Sequence, residues 1–334
     1  MSDLENLGDR AVLTAFERIS RPRPVISIPR QLGERSLRMA SWGRPPMTTV
    51  LGGGTLIGGT AYLEPLRAAQ RAGHQTIVFG TGVAPREIID RQHGPGSGEH
   101  LLRSWAGVLA GCAHVGVRGP LSQSILESVD VASEVLGDTA CSLVEALPEG
   151  EPPNSRIGVN VGCTSEAIWP ASDAEAAAMR IAECLRALDR AGWAIEFVVV
   201  TASDLELTSQ VRANCGQPDA PVHVIIEDAD ELLARAHEWS VFVATKLHAA
   251  AIAMCAGAPT LCIDYHPKCS DFMLSVDAGD QLLHRDDFTA DELVGAVERV
   301  AAERASTVAR THSRLVALSD LQRRRYVELS SGIA

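Results

Sequence analysis

Two ionisable side chains stand two residues apart at Lys246-Leu247-His248. A lysine and a histidine at that spacing can hold a small, highly charged anion and move a proton on it. Their setting suits that chemistry. Trp239 to Ala244 is largely apolar and reads as a buried strand, while Ala249 to Ala256 reads as a helix closed by Gly257-Ala258-Pro259. A strand, a sharp turn and a helix start bring free backbone N–H groups beside the two side chains, and a helix N-terminus favours anions. The competing use of His248 is a helix-start histidine bonded to a neighbouring backbone group.

Three further segments carry residues of the right type. Arg118 lies where the apolar run His114-Val115-Gly116-Val117 meets Gly119-Pro120-Leu121-Ser122. That is a strand end followed by a helix start, where open α/β sheets bind ligands. An arginine there can clamp a carboxylate or phosphate bidentately; its other use is a salt bridge to Glu127 or Asp138. Gly52-Gly53-Gly54 follows the short strand Thr48–Leu51. Such glycines let the backbone approach a ligand, or let the next helix pack tightly. Their spacing is not that of a dinucleotide or P-loop fingerprint. Asp264-Tyr265-His266-Pro267-Lys268 follows the strand Thr260–Ile263, and Lys268 can neutralise a phosphate or form a surface salt bridge.

The elements that must position these residues alternate between strand and helix. Strands are expected at Val25–Ile28, Thr48–Leu51, Gln75–Gly80, His114–Val117, Arg156–Gly162, Ile195–Val200, Val222–Ile226, Ser240–Ala244 and Thr260–Ile263. Asp9 is the expected N-cap of a helix over Arg10–Ile19, and no strand precedes it. Other helices are expected at Tyr62–Ala72 and Leu101–Cys112, from Ser172 to Ala191, and over Leu293–Arg304 and His312–Leu329. Gln92–Gly98 reads as a polar loop, and Arg21–Pro46 as an irregular basic connection. Leu147–Asn154 is rich in Pro and Glu and reads as a linker. The reading is an α/β chain of two Rossmann-like domains facing across a cleft: residues 1–150, residues 151–310, and a terminal helix at 311–334 bracing the first.

Composition agrees with two packed cores. The chain has 334 residues, 46% of them hydrophobic and only 4% aromatic, which suits parallel sheets rich in Ala, Val, Leu and Ile. A net charge of −12 argues against a nucleic-acid binder. The eight cysteines form no CxxC pair and read as buried thiols in a cytoplasmic protein; no metal constellation is apparent. No apolar stretch is long enough to span a bilayer, so at most a peripheral association with the inner face of the cell membrane is expected.

Taken together, Asn6-Leu7-Gly8-Asp9, Gly52-Gly53-Gly54, Val117-Arg118-Gly119-Pro120-Leu121-Ser122, Leu136-Gly137-Asp138, Lys246-Leu247-His248 and Asp264–Lys268 resemble the motifs of the polysaccharide pyruvyl transferases, in the same order. The family often has Asp where this chain has Gly119, more often has Asp where it has His266, has Arg as often as Lys at the position of Lys246, and usually has a strand before the turn at Asn6, which this chain lacks. The resemblance implies a glycosyltransferase-B-like architecture. It implies phosphoenolpyruvate as co-substrate, with no other cofactor, and a sugar, oligosaccharide or glycolipid acceptor. The product is a cyclic pyruvate ketal. Carried over by motif, His248 is the general acid, and Arg118, Lys246 and Leu247 bind the donor, with Lys268 beside them.

The residues themselves suit that reaction. Phosphoenolpyruvate carries a phosphate and a carboxylate, so its site needs cations and backbone N–H groups. Protonating its methylene carbon opens C2 to a sugar hydroxyl, and histidine is an acid of suitable strength. Asp9, Asp138, Asp264 and His266 are candidates to take hydroxyl protons; each can equally serve as a cap or structural partner. Gly53 and Gly54 are candidates to border the acceptor. A glycosyltransferase using a nucleotide sugar is the alternative enzyme, with Glu227 or Asp230 as its ribose contact. A catalytically inactive binding protein of a glycan assembly complex is the non-enzymatic one.

Overall fold

The computed structural model describes residues 6–23, 25–26, 34–41, 47–147, 150, 155–162, 171–284 and 288–331. Their contacts divide them into two units. One comprises Val12–Ser142 and the residues from Ala317 on; the other comprises the residues up to Ala11 and Leu143–Val316. The first turn of the first helix thus groups with the second unit, not with residues 1–150 as the sequence suggested.

The first unit is built on five parallel strands: β1 (Thr48–Gly52), β2 (Thr55–Ile57), β3 (Gln75–Val83), β4 (His114–Val117) and β5 (Glu134–Val135). Their order is β1-β3-β4-β5, with β2 also on β3. β3 is buried along nearly its whole length, as its largely apolar and glycine sequence, broken by Thr76 and Thr81, suggests. Its helices are the greater part of α1 (Leu7–Ser20), α2 (Glu34–Ser41), α3 (Leu63–Arg71), α4 (Arg86–His93), α5 (Ser97–Leu109) and α6 (Pro120–Glu127). Leu51, Val78, Leu102, Trp105, Val117 and Leu126 belong to one core cluster. Val25 and Ile26 form no strand, and the other two residues of that expected strand lie outside the described residues. The arginine-rich segment instead contains α2, and the polar stretch near Gly94 joins α4 to α5.

The second unit has six parallel strands: β6 (Arg156–Asn160), β7 (Ala194–Val199), β8 (Val222–Val224), β9 (Val241–Ala244), β10 (Thr260–Asp264) and β11 (Leu282–His284). The order is β11-β10-β9-β6-β7-β8, so the chain winds out to one edge and then returns past β6 to the other. Its helices are α7 (Ala171–Arg190), α8 (Leu205–Asn214), α9 (Ala229–Ala236), α10 (Leu247–Cys255), α11 (Pro267–Ser275), α12 (Ala290–Ala302) and the first part of α13 (Arg304–Ser331). α7 begins before Ser172, so that residue is not its cap. α10 is buried on almost every side, against α9, α11, β9 and β10. That explains its run of alanines: a helix enclosed all round needs small side chains to close the distance. Most of the expected linker lies outside the described residues. Among the described residues, no helix is long and apolar enough to cross a membrane.

Candidate functional site

In the second unit, the C-terminal ends of four neighbouring strands, β10, β9, β6 and β7, carry most of the chemistry. β9 ends at Ala244, Thr245 makes the turn, and Lys246 in extended conformation is the N-cap position of α10. The turn is pinned to the end of β6. Thr245 N donates to Asn160 O at 3.1 Å, Lys246 N to Asn160 Oδ1 at 3.1 Å, and Gly162 N to Thr245 Oγ1 at 2.7 Å. Asn160 is 1% exposed and also donates to Val198 O, so β6 fixes this turn rigidly. The backbone N–H groups of Leu247 and His248 open α10, where partial positive charge collects. Leu247 itself is buried, so it offers an anion its N–H and not its side chain.

Lys246 Nζ lies 3.2 Å from Asp204 Oδ2, which stands just past β7. A Cβ on Gly162 would sit 2.3 Å from Lys246 Cε and 2.7 Å from Asp204 Oδ2. A side chain there would crowd the lysine stem and Asp204, and glycine leaves the pair its room. His248 is held from another direction. Leu7 N donates to Val200 O at 2.9 Å and Asn6 bridges Thr201, which docks the N-terminal turn on the end of β7. A Cβ on Gly8 would lie 2.2 Å from His248 Nδ1. The imidazole thus rests on the Gly8 backbone. Asn6 Oδ1 accepts from Gly8 N at 2.9 Å, so Asn6 caps α1. Asp9, expected as that cap, is exposed in the first helical turn, where its charge suits the helix dipole.

The β10 end lies beside this turn. His266 is buried and is the N-cap of α11: its Nδ1 accepts from Lys268 N at 3.1 Å. A neutral His266 so placed carries its proton on Nε2. Lys268 Nζ sits 5.2 Å from the centre of the Tyr265 ring, a cation–π arrangement. Asp264 accepts from Ser270 Oγ. Asp264 and His266 therefore have structural tasks at the start of α11. Among the described residues, no group of three His, Cys, Asp or Glu side chains could hold a metal ion.

In the first unit three of the motif segments converge on Arg118. Its Nε donates to Asp138 Oδ2 at 3.0 Å, its Nη2 to Gly54 O at 2.5 Å, and its Nη1 lies 3.3 Å from Thr55 Oγ1. A Cβ on Gly82 would fall 2.6 Å from Nη1, so β3 runs directly under the guanidinium. Asp138 Oδ1 accepts from Ala140 N, and Gln322 Nε2 donates to Asp138 O. Arg118 is 1% exposed. Arg118 thus takes the salt-bridge use that its position also offered, as a buried organiser of the Gly-rich turn. Gly53 and Gly54 both have positive φ, 61° and 63°. A Cβ on Gly53 would meet Val12 Cγ1 at 2.1 Å, so its need is close packing of α1. Asp138, its carboxylate held by Arg118 and Ala140, has a structural task.

Residue typing alone missed Asn6, Gly8, Asn160, Gly162 and Asp204 as parts of the second unit's site. Gly8 and Gly162 carried a signal, each being a glycine at a predicted strand or helix end. Asp204 carried none, because nothing local separates it from other aspartates near strand ends.

The fold has relatives among solved structures. A protein from Listeria monocytogenes described as a UDP-N-acetylglucosamine 2-epimerase aligns with a TM-score of 0.57 and 11% identity, over 88% of this chain and 79% of that one. S. aureus MnaA, solved with UDP, aligns at 0.56 and 12%, over 90% and 80%. The UDP-GlcNAc 2-epimerase of Methanocaldococcus jannaschii aligns at 0.53 and 11%, over 85% and 80%. These likenesses establish a GT-B fold with two parallel α/β units. A search of curated protein sequences gave no match. The sequence profile of the polysaccharide pyruvyl transferases matches residues 6–267, from the Asn6 turn through Lys246 and His248 to the start of α11, and the chain is therefore a member of the polysaccharide pyruvyl transferase family.

Proposed function

We propose that this transferase moves pyruvate from phosphoenolpyruvate to a sugar diol of a polysaccharide, glycolipid or their precursor, in the cytoplasm or at the inner face of the cell membrane. The observation that carries the reading is the seating of His248 on Gly8, next to Lys246 at the N-terminus of α10. Two family motifs far apart in sequence meet there, one carrying a proton donor and a cation, the other the glycine that admits the imidazole.

In this reading Lys246 Nζ and the N–H groups opening α10 hold the donor's negative charge. His248 delivers a proton to the methylene carbon of phosphoenolpyruvate, C2 becomes cationic, and a sugar hydroxyl oxygen bonds to it. The C2–O bond to phosphate breaks, the second hydroxyl bonds to C2, and both hydroxyl protons leave. Phosphoenolpyruvate and a diol thus yield a ketal and inorganic phosphate. In this reading Lys268, at the end of the neighbouring strand β10, is the second cation for the donor.

The test is phosphate release from phosphoenolpyruvate in the presence of sugar acceptors, with mass spectrometry of cell-envelope glycans with and without the protein. Loss of a pyruvyl ketal from the glycans on deletion is expected. Turnover of nucleotide sugars without phosphate release from phosphoenolpyruvate would replace this reading with a glycosyltransferase. No turnover with either donor, and glycans unchanged by deletion, would leave a binding protein.

A further inference from the structure

The chain contains 30 basic Lys and Arg residues, and only two of them, Lys246 and Lys268, are lysines. Everywhere else a long cation is required, this chain uses arginine. Both lysines stand at helix starts, at the ends of the adjacent strands β9 and β10. At Lys246 the surroundings account for the choice. The stem passes over Gly162, where even a single added carbon would collide with Cε, and the ammonium meets Asp204 in a side chain only 3% exposed. A planar guanidinium is wider than an ammonium and demands more room at its end.

We infer that Asp204 is the positioning residue of Lys246. Its Oδ2 lies 3.2 Å from the ammonium nitrogen, and this buried ion pair holds the lysine head at the ends of β9 and β7. Gly162 is the floor of the same cradle, and Asn160 anchors the lysine backbone. A buried carboxylate that both aims a cation and offsets its charge tunes anion affinity rather than proton transfer. The inference rests on the pyruvyl-transfer reading for the identity of the donor, but not for the pairing itself.

Two lysines make a direct experiment practical. The full-length protein is treated with an amine-directed acylating reagent at neutral pH, and labelling of Lys246 relative to Lys268 is followed by mass spectrometry. In Asp204→Asn, the ratio should rise at least about fivefold, because the ammonium has lost its buried partner. With phosphoenolpyruvate as substrate, the same variant should raise KM about tenfold or more while kcat changes less. Asp204→Glu should recover part of that affinity, and in a Lys246→Met background Asp204→Asn should add nothing further.

Gly162→Ala reaches the same pair without altering either charge and serves if Asp204→Asn does not fold, as judged by thermal unfolding. It should raise KM in the same direction. An unchanged Lys246-to-Lys268 ratio in both variants overturns the inference, as does an effect of Asp204→Asn that survives intact in the Lys246→Met background. The labelling arm needs no substrate. A wild-type protein that fails to turn over phosphoenolpyruvate yet shows the labelling change would refute the pyruvyl-transfer reading and leave the positioning role standing.

Discussion

Arg118 donates through Nε to Asp138 at 3.0 Å, and the two side chains are 1% and 0% exposed. An ion pair this deep is worth little against an apolar replacement of both partners, but breaking it strands a buried charge. Arg118→Ala should therefore lower stability by about 3–5 kcal/mol. Arg118→Lys should recover little, since one ammonium cannot serve Asp138, Gly54 and Thr55 together. Urea unfolding of the variants checks both statements. A fully stable Arg118→Ala protein that has lost only donor affinity would restore the direct-clamp reading.

His248→Ala should lower kcat for phosphate release by about 10²–10⁴-fold, the range for loss of a general acid, with a smaller change in KM. Rapid-quench or steady-state phosphate assays give the two constants. An active alanine variant would remove His248 from the proton-transfer role.

Gly8→Ala separates function from stability. Alanine is favoured over glycine within a helix by up to about 1 kcal/mol, so the fold should hold or gain slightly. The new Cβ, however, would meet His248 Nδ1 at 2.2 Å and push the ring from its place. Thermal unfolding should be unchanged or improved while turnover falls at least about tenfold.

A fourth expectation concerns acid. Glu196 is buried, which by itself would raise its pKa; hydrogen bonds from Trp239 and His223 and the charge of Arg156 outweigh that and hold it below the ordinary 4.5. A depressed carboxylate contributes stability that is fully present above pH 4.5 and is lost as pH falls through the lower folded-state value. Glu196→Gln should lower stability at neutral pH by about 1–3 kcal/mol and flatten the loss below pH 4.5. Trp239, whose indole donates to Glu196, supplies the fluorescence probe.

Much of the fold was legible because parallel strands enclosed on both faces announce themselves as apolar runs. β3, β6, β7, β9 and β10 were all found that way. β2 and β11 span three residues each and give no such run. α2 was hidden in a segment whose arginines and prolines suggested an irregular connection, and α4 went unread, its end lying in the polar stretch that reads as a loop. At the site, the types Lys246 and His248 were readable, but the partners that fix them were not. Gly8 and Asp204 act through contacts made across the second unit, and no local pattern encodes those. At Arg118 the strand end offered either a ligand contact or a salt bridge to Asp138, and the enclosure by β3 and Asp138 is a set of contacts that no local pattern encodes.

Two helices give the chain a consequence for how it can be dissected. α1 begins with the second unit and continues in the first, and α13 begins with the second and ends in the first. A gene cut at the Pro-rich segment near residue 150 would not separate two self-sufficient domains. The upstream fragment would lose Gln322, which caps the carbonyls of Leu136 and Asp138, and the downstream fragment would lose the Asn6–Gly8 turn under His248. Co-expressed, the two fragments could supply each other's missing pieces, so recovery of activity by mixing, not activity of either part alone, is what this chain's connectivity calls for.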